Sequence, residues 1–237
     1  MVLADSVRSS GRCLAGKEVL WTGADWSVGG WVRPVPTPTG AEMALTEVQR
    51  ALGWEPSLLE VVEIPLERPC PLPDQPENWL LSRTGAWKLH GCLEHGKVPT
   101  LLDHPDQLWG DEKRYVQEGC PQRMAQPAPL YLIQPDTIGP LRIWAEEALN
   151  EQGQPYARHR RRVAICCRGR WHEFDITDPR LQARYYPKLP ASNEPSLTIR
   201  LRSPQRTVVC VSLTPVWKGR HYKIAAAFLE PPEPKES

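Results

Sequence analysis

The chain lacks most of the short motifs that announce an activity. It has no CxxC pair, no phosphate-cradling glycine loop, no dinucleotide-binding glycine fingerprint and no glycine-flanked serine elbow. Their absence argues against zinc ribbons, P-loop and Rossmann chemistry, and serine nucleophiles, because each needs those residues at fixed spacing. No apolar run approaches bilayer length, so no membrane partner is expected. The first residues carry no apolar signal core, and seven cysteines is an odd count. Together these point to a cytoplasmic protein with reduced thiols. Charge of one sign is also missing. A formal net charge of +1 leaves any polyanion argument to local clustering.

What is present is proline and tryptophan. The 26 prolines are about twice the usual share, which disfavours long helices and suits short strands joined by turns. Ten tryptophans serve a core or an interface, or provide stacking platforms. At 237 residues the chain accommodates one large domain or two small ones.

The clearest stretch is residues 208–228. Two apolar runs, 208–213 and 222–228, flank Lys218-Gly219-Arg220. Val208, Val209 and Val211 favour extended backbone, and Gly219 frees a turn, so a β-hairpin is expected. Its tip would present Lys218, Arg220, His221 and Lys223. A second hairpin is expected over residues 163–176, with the basic turn Arg168-Gly169-Arg170. Residues 157–162, ARHRRR, are the densest basic run. Toward the N-terminus, residues 39–53 carry a capping box, Thr39 with Glu42, and an apolar stripe at helical spacing. They predict one helix over residues 40–52. Residues 141–148 fit strand and helix periods alike. Residues 87–126 show no sustained period and read as an irregular insert, partly helical near 111–118. The organisation predicted is a first β-rich domain at 1–84, a connecting insert at 85–128, a second β-rich domain at 129–230 and a mobile tail at 231–237.

Several segments together resemble the dual OB-domain-containing proteins of prokaryotes. In the first half these are VLADSVRSSGRCLAG, GGWVRPV and LLEVVEIPLERPCPLPDQPENWLL; in the second, LYLI, GRWHEFDITDP and VCVSLTPVWKGRHYKIAAAF. They span most of the chain outside residues 84–128 and the tail. The resemblance implies a mostly β protein, all-β or α+β, with two tandem OB-like β-barrels, one short capping helix and nucleic-acid binding. It brings no catalytic residue set.

Gripping a nucleic acid needs cations along phosphates and flat rings under bases. Arg160, Arg161, Arg162, Arg168 and Arg170 are the candidate phosphate contacts, with Arg160 and Arg162 on one face of an extended chain and Arg161 opposite. Trp171, Trp217 and Tyr222 are candidate stacking residues, and Lys218, Arg220 and Lys223 would lengthen the basic strip. Arg12, Trp31 and Arg33 are added from the first half. The expected activity is non-enzymatic binding of single-stranded or guide-like RNA or DNA, with a protein–protein adaptor as the alternative. No catalytic residue, metal or cofactor is expected. His90, Cys92, His95 and His104 lack the regular paired spacing of a zinc site. Asp175 and Asp178 could pair to hold magnesium, but Asp178-Pro179 reads better as a turn opener.

Overall fold

The computed structural model describes residues 1–8, 11–23, 26–40, 43–44, 55–110, 113–119, 128–150 and 152–232. The expected helix at 40–52 lies mostly outside these residues; Thr39 before it and Gly40 at its start are in irregular backbone. Of the part inside, Met43 and Ala44 are extended instead. They pair with Arg12 and Gly11, which sets Met43 against Leu14 in a small apolar cluster.

The first half builds seven strands: β1 (Val2–Arg8), β2 (Gly11–Trp21), β3 (Trp26–Val35), β4 (Met43–Ala44), β5 (Glu60–Glu63), β6 (Leu66–Pro69) and β7 (Asn78–Leu81). Their sheet runs β1-β2-β3-β7-β6, with β4 on β2. The segment expected to be irregular is tied to both halves. Strand β8 (Lys88–Cys92) pairs with β5, a 3-10 helix follows at His95–Leu101, and β9 (Tyr115–Gln117) pairs with residues 220–222 of the second half. Helix near 115–117 gives way to strand because Val116 alternates with Tyr115 and Gln117: it faces the core while they do not.

The second half comprises β10 (Leu130–Ile133), β11 (Thr137–Ile138), β12 (Leu141–Leu149), β13 (Pro155–Cys167), β14 (Arg170–Ile176), helix α1 (Pro179–Tyr185), β15 (Leu197–Ile199), β16 (Val208–Leu213) and β17 (Arg220–Leu229). The order is β10-β16-β17-β14-β13-β12-β15. Among the described residues neither strand order closes into a ring. Both expected hairpins form. In each, the two turn residues have positive φ: Arg168 and Gly169 at 51° and 72°, Lys218 and Gly219 at 51° and 71°. This turn twist matches the twist of the flanking strands. Residues 141–149 resolve as strand, held between β13 and β15.

Two cores flank this second sheet. Tyr131, Ile133, Ile143, Val163, Ile165, Phe174, Val209 and Val211 fill one side. On the other side Leu130, Leu132, Val208, Cys210, Ala226 and Leu229 pack against Leu3, Ala15, Leu59 and Val61 of the first half. Strands β10 and β16 are therefore buried on both faces, which is why Val208–Leu213 reads as a continuous apolar run. Polar ties cross the same seam. Asp103 accepts from Lys17 Nζ at 2.6 Å, Trp31 Nε1 at 3.1 Å and the Leu132 amide at 2.8 Å. Asp5 pairs with Arg12 at 3.1 Å and Arg180 at 3.0 Å, and Arg12 also meets Glu55.

Candidate nucleic-acid interface

The first half covers only part of the second sheet. Across β12, β13 and β14, the face opposite the core carries a connected strip of cations and rings. Strand register explains it. Arg142, Trp144 and Glu146 of β12 stand opposite Arg162, Arg160 and Arg158 of β13, and Arg162 stands opposite Asp175 of β14. Paired residues share a face, so alternation sends Ile143, Val163 and Phe174 into the core and these side chains outward.

The strip runs step by step. The Arg162 guanidinium sits 5.0 Å from the Trp144 ring centre. Its Nε reaches Asp175 at 3.3 Å, and Asp175 in turn holds Arg114 at 3.1 Å. Arg114 lies 5.0 Å over Tyr222. Tyr222 neighbours Tyr115 at 6.1 Å and Trp217 at 6.0 Å. Arg220 covers Tyr115 at 4.2 Å, and Lys218 covers Trp217 at 4.7 Å. Glu173 ties in Arg142 at 2.9 Å, and Glu146 holds Arg160 at 2.6 Å. That contact, with the nearby Arg158 and Arg162 charges, keeps the Glu146 carboxyl below the usual carboxylate range. Beyond Arg158, Tyr156 is 45% exposed. Arg158, Arg170, Lys218 and Arg220 make no ion pair among the described residues.

The sequence-predicted residues divide. Arg160, Arg162, Trp217, Lys218, Arg220 and Tyr222 come together on the strip. Arg168 stands at the β13–β14 turn near Asp106, beside the exposed Arg170 and Trp171, at the far end of β14 from Asp175. Arg161 points inward, its Nε buried, where its charge acts on the buried Tyr186. Burial still dominates there and pushes the Tyr186 hydroxyl up to about 12. Lys223 is wholly buried and contacts His172 at 3.3 Å, and His221 is buried beside it in sequence. Neither belongs to an exposed hairpin tip, because residues 221 and 223 fall on the core face of β17. Arg12, Trp31 and Arg33 are also corrected. Arg12 and Arg33 are buried in pairs with Asp5 and Glu77, and Trp31 bonds Asp103 in the seam between halves. Arg33 is thus held by Glu77 within the first half, and Trp31 by Asp103 at the seam.

Trp144, Tyr156, Arg142, Arg114 and Tyr115 were missed by the sequence reading. Only the even-number alternation through 142–148 signalled the first and third, and the competing helical period concealed it. Arg114 and Tyr115 arrive from the unreadable insert.

The candidate acid pair separates. Asp175 lies on the strip, while Asp178 is buried and caps α1, accepting from the Arg180 and Leu181 amides and from Phe228 N at 2.9 Å. Among the described residues no three His, Cys, Asp or Glu side chains gather as metal ligands. No helix among them is long and apolar enough to cross a membrane.

The family model of the dual OB-containing domain matches residues 1–228. The chain belongs to that family. No curated protein and no solved structure matches it. In this dual OB chain the two halves are joined through a common core, and the strip lies on the part of the second sheet left open. OB folds hold oligonucleotides and other partners on a sheet face and its loops.

Proposed function

We propose that the protein is a non-enzymatic binder of single-stranded nucleic acid, gripping RNA or DNA along the outward face of the second sheet. One observation carries the reading: a connected run of rings and guanidinium groups, bridged once by the Asp175 carboxylate, extends from Trp144 to Trp217. Rings stack bases whatever their sequence, and guanidinium groups neutralise phosphates. Carboxylates hold several of the arginines in place, which fixes their geometry but lowers the strip's net charge. The grip then depends most on the cations that make no ion pair among the described residues, Arg158, Lys218 and Arg220.

The test is anisotropy of a labelled single-stranded oligonucleotide across a salt series. Affinity falls linearly on a log–log plot, by about 0.7 in slope for each phosphate neutralised. Replacing Arg160 and Arg162 with alanine lowers affinity and slope together. An unchanged slope removes both residues from the site.

A second reading, a protein-binding adaptor, is favoured by a separate feature. The β2–β3 ribbon exposes Leu20 and Trp21 at 69% and 53%, with Val28 beside them. Exposed apolar residues of this kind suit a protein contact. Partners retained in a pull-down after nuclease treatment support it; partners released by nuclease support the nucleic-acid reading.

A further inference from the structure

The strip carries three acids as well as its cations, and their position constrains what lies on it. Glu146, Glu173 and Asp175 occupy β12 and β14, on either side of the β13 arginines. Their oxygens are unevenly used. Glu146 Oε1 takes both Arg160 contacts, at 2.8 Å from Nε and 2.6 Å from Nη2. Among the described residues Oε2 accepts no hydrogen bond. Glu173 Oε1 accepts from Arg142 at 2.9 Å, while its Oε2 lies 3.6 Å from Arg162 Nη1, outside hydrogen-bond range. Both Oε2 atoms therefore keep hydrogen-bond acceptor capacity, that of Glu173 within ion-pair reach of Arg162.

An open carboxylate repels phosphate and accepts hydrogen bonds only. Phosphates are turned toward the rim cations Arg158, Lys218 and Arg220, and bases toward the acids and rings. A duplex has its Watson–Crick edges occupied and offers nothing to these oxygens. Among free bases, guanine presents two adjacent donors, N1–H and the N2 amino group, which can converge on a single carboxylate oxygen with its lone pairs free. Thymine and uracil present one imino donor flanked by carbonyls that repel it. Cytosine and adenine place a ring acceptor beside their amino group.

We propose that Glu146 and Glu173 read base edges, so that the strip selects single strands containing unpaired guanine. This rests on the nucleic-acid reading above and adds a substrate preference to it. The stacking rings keep the preference modest, since they accept every base.

The experiment compares three single-stranded DNA probes of about a dozen nucleotides, a length one OB fold accommodates. One is all deoxythymidine, one carries deoxyguanosine at every third position, and one carries deoxyinosine there. Inosine keeps N1–H and loses the amino group. Affinities are measured at one salt concentration. The guanosine probe is expected to bind about fivefold tighter than the thymidine probe, with inosine between. The Glu146→Gln/Glu173→Gln variant is expected to lose that ranking and bind the three probes alike. Equal affinity for all three probes overturns the inference and leaves the binding function standing. Binding of the guanosine probe as tightly when it is in a duplex also overturns it. Binding of none overturns the nucleic-acid reading itself.

Discussion

Arg158 and Arg161 sit close together in one strand and face opposite ways. Arg158 is exposed on the strip with no ion pair among the described residues; Arg161 turns inward toward Tyr186. Arg158→Ala is therefore expected to weaken single-strand binding and flatten its salt dependence by about 0.7 in slope. Arg161→Ala is expected to leave the slope alone and lower the melting temperature, because it leaves the buried Tyr186 hydroxyl in a changed field. Matched salt titrations and melts of the two variants check the contrast; equal slopes for both contradict it. Asp5 offers a second test at this scale. Burial raises its carboxyl above the ordinary value, against the pull of Arg180 and Arg12. The folded protein then holds the Asp5 proton to higher pH than the unfolded chain does. The Asp5 contribution to stability is greatest at low pH. It declines as pH rises from the unfolded value, about 4, through the raised folded one, and is level above that. Urea unfolding of wild type and Asp5→Asn across that window should show the declining component in wild type alone.

At the scale of elements, the β12–β13 pair is the part of the site that binding should feel most. Trp144 stands opposite Arg160 and under Arg162. Trp144→Ala is expected to cost about 1–3 kcal/mol of single-strand affinity, the worth of one stacked base, with little change in stability. Anisotropy and a thermal melt separate the two. The elements also show what the sequence could and could not convey. The two hairpins with basic turns were legible because β-branched runs and Gly169 or Gly219 mark strand and turn locally. The basic run was legible as charge, and its alternation placed Arg160 and Arg162 together. Its partners were not, because Glu146, Glu173 and Asp175 are brought in by strand pairing, which leaves no local mark. Helix α1 had a local signal, Asp178 as cap with Pro179 in the first turn, that reads equally as a turn. Lys223 was misplaced because a hairpin tip was assumed to extend past Arg220, whereas the core face resumes at His221.

Across the whole molecule, the two halves have a shared apolar core rather than a flexible hinge. Leu132 is fully buried there, among side chains from both halves. Leu132→Ala is expected to cost about 2–5 kcal/mol and to shift a single cooperative transition. Two separate transitions in calorimetry would show the halves to be independent. Arg12, Trp31 and Arg33 are also spent inside the fold: Arg12 and Arg33 on Asp5 and Glu77 of the first half, Trp31 on Asp103 at the seam.

The most direct measurement is the salt dependence of single-stranded oligonucleotide binding in the full chain and in an Arg158→Ala/Arg160→Ala/Arg162→Ala variant. The account predicts a linear log–log decline for the full chain and a slope smaller by about 2 in the variant, at about 0.7 per cation removed. An identical slope in the two proteins, or affinity indifferent to salt, contradicts it.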